Sequence, residues 1–341
     1  MTPLRSIKSS HGREFVVGTP HVAGTRQPIV ALRGVSKRFN SIQALDNVDF
    51  DIYPREVVAV VGDNAAGKSV LAKTIAGVHQ PDTGEIYWDA APTEIPSPSA
   101  AFEMGVATVF QELALCDNLS IVQNLFLGRE IRDGVAVADD EMESIASGIM
   151  AELGAKLPSL HTKVANLSAG QRQTTAIARC LIGSPRVVVM DEPTSSLSVT
   201  QTAEVLNLIE HLRDLGFGIM LISHTLADVQ AVADRIVVMR HGRINGDALM
   251  DDVNYEEIIA AITGVPNELT RTTRERGPLR PPTALTVVNA SLPLPGESEL
   301  AGAKGRGHTL HVPPQAEAGK GESGPRLLFP WRRARTSRKS G

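Results

Sequence analysis

Apolar residues come in short unbroken runs: Val57-Val58-Ala59-Val60-Val61, Val187-Val188-Val189-Met190, Ile219-Met220-Leu221-Ile222 and Ile236-Val237-Val238-Met239. Unbroken rather than alternating apolarity predicts strands covered on both faces, as in a parallel sheet flanked by helices. Helical spacing fills the gaps. It predicts helices over Ser69 to Ala76, Gly170 to Ile182 and Thr200 to Leu215. After Met239 the sequence RHGRI places a glycine at a tight turn and predicts a hairpin at a sheet edge. The stretch from Leu113 to Leu167 has no strand run, and MESIASGIMAELG within it has helical spacing. It reads as a helical insertion, about 113–181, in an α/β core.

Composition narrows the class. The chain has 341 residues, 42% of them hydrophobic and only 4% aromatic, so its core must rest on Val, Ile, Leu and Ala. Two cysteines, Cys116 and Cys180, make no disulfide framework. No apolar run reaches membrane-spanning length, and MTPLRSIKSSHGREF lacks a signal-peptide core. Secretion, a disulfide scaffold and membrane insertion are therefore not expected. The net charge of -4 hides an asymmetry: residues 267–341 carry 13 basic and 6 acidic side chains, against 21 basic and 32 acidic before them. The acidic body argues against a nucleic-acid partner. The later segment also holds 9 prolines and 9 glycines without apolar periodicity. The expected organisation is a flexible extension over 1–27, one domain over 28–265 and a disordered tail over 266–341.

The sharpest chemical signal is Gly62-Asp63-Asn64-Ala65-Ala66-Gly67-Lys68-Ser69, which fits G-x-x-x-x-G-K-[ST] between an apolar strand and a helix. Gly62 and Gly67 let the backbone turn and bring N–H groups to phosphate oxygens, aided by the helix N-terminus. Lys68 supplies a charge to the β- and γ-phosphates, and Ser69 a hydroxyl to Mg²⁺. The run ending Met190-Asp191-Glu192 puts carboxylates at the C-terminal end of a buried strand. Asp191 is placed to hold Mg²⁺ and Glu192 to polarise a water for attack on the γ-phosphate. The pair of motifs resembles those of P-loop NTPases, a resemblance that implies a RecA-like parallel core.

Leu167-Ser168-Ala169-Gly170-Gln171 then resembles the LSGGQ signature of ATP-binding cassette (ABC) ATPases. Other motifs of that family follow in order. Phe39 stands where its aromatic residue stacks on adenine, and Gln111 resembles its Q-loop glutamine, which senses Mg²⁺ and the attacking water. Asp191, Glu192, Pro193 and Thr194 resemble the Walker B segment, Ser195-Ser196-Leu197-Ser198 the D-loop, and His224 the switch histidine. The resemblance implies an antiparallel β subdomain beside the core and an inserted α-helical subdomain. It also implies nucleotide contacts from Gly62 through Val70, and a signature segment acting on ATP held by a second copy of the chain.

Ile42 to Val48, Phe126-Leu127-Gly128-Arg129-Glu130 and the D-loop are similar to the ATP-binding subunits of monosaccharide importers, the ribose, xylose, arabinose and fructose class. That resemblance implies a homodimer of cassettes on the cytoplasmic face of the bacterial inner membrane. It would drive permease subunits that receive sugar from a periplasmic binding protein. An ABC system of other substrate or direction, and a non-transport regulatory ATPase, stay open. DNA-maintenance relatives carry long coiled coils between Q-loop and signature, whereas here 56 positions separate Gln111 from Leu167 without sustained heptads.

Five positions depart from the family pattern. Ala65, Ala169 and Arg55 replace glycines, Val70 a hydroxyl residue and Ser198 an aspartate. Far along the tail, Arg326 to Arg335 interleaves basic and apolar residues, fitting contact with anionic lipid or an idle extension.

Overall fold

The computed structural model describes residues 5–8, 14–17, 27–133, 135–155, 157–276 and 279. Two short strands, β1 (Arg5–Lys8) and β2 (Glu14–Val17), pair antiparallel, where the sequence led us to expect a flexible extension. The body opens with β3 (Val30–Phe39), β4 (Ile42–Ile52), β5 (Glu56–Gly62) and α1 (Lys68–Ile75). Next come β6 (Thr83–Trp88), β7 (Ala91–Thr93), α2 (Pro98–Met104) and β8 (Val106–Val109). A mainly helical stretch follows: α3 (Ile121–Leu125), a two-residue hairpin β9 (Arg132–Asp133) and β10 (Ala136–Val137), then α4 (Asp139–Glu152) and α5 (Ala169–Leu181). The chain returns through β11 (Val187–Asp191), α6 (Val199–Leu215), β12 (Gly218–Ile222), α7 (Leu226–Val232), β13 (Arg235–Arg240) and β14 (Arg243–Leu249). It continues with α8 (Tyr255–Thr263) and α9 (Glu268–Arg276).

Two sheets result. The larger runs β14-β13-β5-β12-β11-β8, parallel except for the β13–β14 edge hairpin. The smaller, β4-β3-β6-β7, is antiparallel throughout. Why β5 reads as one apolar run is now visible. Val57 faces a core shared with α3, α4, α5 and α6, Val58 and Val60 face a second shared with α1, β3 and β4, and Ala59 and Val61 a third under α7, α8 and α9. A strand with no solvent face has no position at which a polar residue is free.

Helix boundaries follow local chemistry. Ser168, Ser198 and Asn254 each form reciprocal capping boxes, with Gln171, Gln201 and Glu257. The first helix begins at Lys68, one residue earlier than the pattern indicates, because Gly67 turns left-handed immediately before it.

The expected tail boundary at 266 needs correction. Asn267 and Thr270 exchange backbone-to-side-chain hydrogen bonds, each 2.9 Å, and so open α9. Leu269 of that helix is 4% exposed and sits over Gly246 of β14, where a Cβ would come within 2.8 Å of it. The Pro/Gly richness of the longer segment hides this short capped helix. The expected disorder beyond it, and the basic-apolar segment Arg326 to Arg335, lie outside the described residues.

Candidate functional site

Parallel strands end in register, and their carboxyl ends build the site. Val60 of β5 lies opposite Ile222 of β12, which lies opposite Asp191 of β11, and Met190 pairs with Val109 of β8. The segments leaving these ends hold Gly62 to Lys68, His224, Glu192 and Gln111.

Between β5 and α1 the chain wraps a tight loop. Gly62 has φ 150° and Gly67 φ 105°. A Cβ on Gly62 would strike the Met239 carbonyl of the neighbouring strand, and one on Gly67 would lie 2.6 Å from the Ala44 carbonyl. Both glycines are demanded by close backbone approach as well as by φ. Ala65, at φ 61°, holds a left-handed conformation that costs an L-residue about 1–2 kcal/mol. Arg55, where the family pattern has glycine, is left-handed too, at φ 58°. Its backbone N–H donates to Phe217 O at 3.1 Å and its guanidinium to Asp214 O at 2.8 Å, and these bonds secure the turn. The edge hairpin buttresses the loop through Gly242 N–H donating to Ala66 O at 3.0 Å.

Lys68 is 8% exposed, and its Nζ donates to the carbonyls of Gly62 at 2.8 Å and Asp63 at 2.9 Å. Burial lowers its pKa, and the charges of Glu192, Asp191 and Asp63 oppose that fall. Burial likewise raises the Asp191 carboxyl, opposed first by a hydrogen bond from the Ser69 hydroxyl. Next to it, Glu192 is left-handed at φ 50° and places Oε1 3.3 Å from His224 Nδ1. Ser69, Lys68, Asp191, Glu192 and His224 thus form one polar group. Gln111 is exposed just past β8, beside β11.

The remaining sequence candidates occupy other surfaces. Phe39 ends β3 and is 37% exposed, its ring edge-on to His79 with centroids 5.0 Å apart. Ser168 and Ala169 are exposed at the start of α5, while Leu167 and Gly170 are buried. A Cβ on Gly170 would come 3.0 Å from Gln201 Cγ, so α5 and α6 meet closely there. Ser198 caps α6, a role that the family's aspartate shares by chemistry. Ser195 and Ser196 are exposed ahead of it, and Leu197 packs on the core.

Sequence reasoning missed two residues. Arg179 of α5 donates to the carbonyls of Leu113 at 2.6 Å and Ala114 at 2.7 Å, clamping the chain just past Gln111. Asp228 accepts from Thr194 Oγ1 at 2.6 Å. Only an acidic residue four positions after His224 hinted at the second.

Fold and loop together define a P-loop NTPase of the cassette type. Residues 45–195 match the family described as ABC transporter. The fructose import ATP-binding protein FrcA of Rhizobium meliloti is 42% identical over 247 residues, 70% of this chain and 95% of that protein. A putative ribose/galactose/methyl galactoside import ATP-binding protein 2 of Burkholderia cenocepacia (strain HI2424) is 41% identical over 242 residues. That match spans 70% of this chain and 47% of the relative, so the chain covers about half that relative's length. A nucleotide-free ATP-binding cassette from an ABC transporter, solved as a crystal structure, has a TM-score of 0.61 at 24% identity, covering 72% of this chain and 98% of that one. The chain belongs to the ABC transporter ATP-binding family.

Proposed function

We propose that the chain is the ATP-hydrolysing subunit of an ABC importer that drives monosaccharide uptake through separate membrane permease subunits. The observation that carries this reading is the Glu192 carboxylate 3.3 Å from His224 Nδ1, at the strand ends beside Lys68 and Asp191. The sugar class is supported by the fructose and ribose/galactose import proteins that the sequence resembles.

The phosphates of ATP lie on the backbone N–H groups from Asp63 to Ser69 and Val70, with adenine stacked on Phe39. Lys68 exchanges its carbonyl partners for phosphate oxygens. Ser69, Asp191 and Gln111 offer hard oxygen donors suited to Mg²⁺. Among the described residues no cluster of three or more His, Cys, Asp or Glu exists to hold a metal without the nucleotide's own oxygens. When bound, Mg²⁺ neutralises charge on the β- and γ-phosphates. Glu192 accepts a proton as water oxygen attacks the γ-phosphorus; the bond to the β–γ bridging oxygen breaks, leaving ADP and phosphate. His224 meets the γ-phosphate.

Ser168, Ala169, Gly170 and Gln171 present a helix N-terminus to ATP held by a second copy, and Ser195 to Ser198 line the same junction. A homodimer therefore closes two sites. The Gln111 loop and the helical insertion with Phe126 to Glu130 meet the permease, which a periplasmic sugar-binding protein loads from the far side. Among the described residues no helix is long and apolar enough to cross a membrane, which fits a peripheral subunit on the cytoplasmic face of the inner membrane. The acidic body disfavours nucleic acid.

Phosphate release by the full chain with Mg²⁺ and ATP tests the reading. Glu192→Gln should slow turnover by about a hundredfold or more while retaining ATP. Unslowed turnover in that variant removes Glu192 from the reaction.

A further inference from the structure

Glu192 is a non-glycine residue held at φ 50°, a conformation that persists only where its surroundings impose it. Its own N–H donates to Ile222 O of β12 at 2.9 Å, and its carbonyl accepts from Ser195 N–H at 3.3 Å and Ser195 Oγ at 3.1 Å. Leu197 N–H closes the same turn onto Thr194 O at 3.2 Å. These bonds shape the turn. The first also ties Glu192 to the end of β12, two residues before His224, so what they leave open is how the turn is aimed at α7, past His224.

That aim comes from a side-chain bond. Thr194, two residues past Glu192 and 9% exposed, donates its hydroxyl to Asp228 Oδ2 at 2.6 Å. Asp228 sits in the first turn of α7, four residues past His224, and its own N–H is anchored on Thr225 O at 3.1 Å. Besides the Glu192 N–H bond to Ile222 O, two side-chain pins join the turns: Glu192 with His224, and Thr194 with Asp228. A charged acceptor and a buried hydroxyl make the second pin short and directional.

We propose that Asp228 is a positioning residue for ATP hydrolysis, acting through Thr194 to fix the turn that carries Glu192. The inference rests on the ATPase reading above and adds a residue outside the groups assigned there to nucleotide, Mg²⁺ or the attacking water. The physical reason is geometric, since a displacement of about 1 Å at a proton-accepting group is enough to cost up to a hundredfold in rate. Nucleotide binding, which belongs to the phosphate loop, should not feel it.

Steady-state phosphate release and binding of a fluorescent ATP analogue, both on the full chain, test this. Asp228→Ala and Thr194→Val should each lower kcat by about ten- to a hundredfold at unchanged analogue Kd. The double variant should fall no further than the worse single variant, since both remove one bond. Asp228→Asn and Thr194→Ser keep an acceptor and a hydroxyl, and should restore kcat to within about threefold. Should Asp228→Ala not fold, the near-isosteric Thr194→Val carries the same prediction.

Additive losses overturn the proposal, as does a drop in Tm with kcat per folded molecule unchanged, which would make Asp228 only a structural prop for α7. Wild-type chain that binds the analogue yet releases no phosphate overturns the ATPase reading, and this inference with it. Wild-type turnover with unaffected variants removes the inference alone.

Discussion

Replacing Lys68 by Met keeps most of the buried alkyl stem and removes the charge. In the nucleotide-free protein the loss is two hydrogen bonds, to Gly62 O at 2.8 Å and Asp63 O at 2.9 Å, and a neighbour for the Glu192 and Asp191 carboxylates. With ATP bound the loss is larger. A charge-assisted hydrogen bond contributes about 1.5–3 kcal/mol, and Lys68 must release its carbonyls to make one, so a net loss of about 2 kcal/mol is reasonable. That is about thirtyfold in Kd.

Thermal unfolding reads the difference directly. ATP at a hundred times the wild-type Kd stabilises by about 2.7 kcal/mol, and at the variant's weakened Kd by about 0.9 kcal/mol. For a domain of this size these become Tm increases of about 5–10 °C and 2–3 °C. The measurement is the ATP-induced shift in each protein, so any change in the nucleotide-free Tm cancels. An ATP-induced shift in Lys68→Met equal to that of wild type would refute the placement of Lys68 on the phosphates.

Three further outcomes follow from other parts of the fold. Arg235, 9% exposed, bonds Glu56 at 3.0 Å, Asp247 at 3.1 Å and the Asp51 carbonyl at 2.5 Å, tying both sheets together. Arg235→Met should cost about 3–5 kcal/mol in urea unfolding, because the buried Glu56 and half-buried Asp247 carboxylates lose their cation; a loss under 1 kcal/mol contradicts this. Burial pushes the Cys180 thiol up to about 11, opposed weakly by Arg179 and Arg129. At pH 8 iodoacetamide should therefore modify the partly exposed Cys116 and spare Cys180 until the protein unfolds. The sign for stability is fixed: an unfolded thiol ionises near pH 8.5 and the folded one only near 11. Stability is thus unaffected below about pH 8 and falls as pH rises between those values, by titration with urea at fixed pH.

Much of this was legible in the chain. The unbroken apolar runs gave β5, β11, β12 and β13, because a parallel strand covered on both faces admits no polar alternation. The phosphate loop was legible because its requirements are local: two glycines, a lysine and a hydroxyl in eight consecutive residues. Capping chemistry is local as well: Ser168 and Ser198 each bond a glutamine three residues on.

Relations between distant segments were not legible. Nothing near Gly62 announces that the Met239 carbonyl excludes a Cβ there, since that neighbour arrives from another strand. The left-handed backbone of Glu192, the reach of Arg179 to Leu113 and Ala114, and the bond from Thr194 to Asp228 depend likewise on strand register. Helix α9 escaped for the opposite reason, since a short capped segment was averaged into a long Pro- and Gly-rich one. Sequence alone determined the core strands, their main helices and which groups can do phosphate chemistry, because periodicity and loop motifs act over a few residues. Tertiary structure decided how those groups face one another, because hydrogen bonds between strand ends form only once the sheet has set their register.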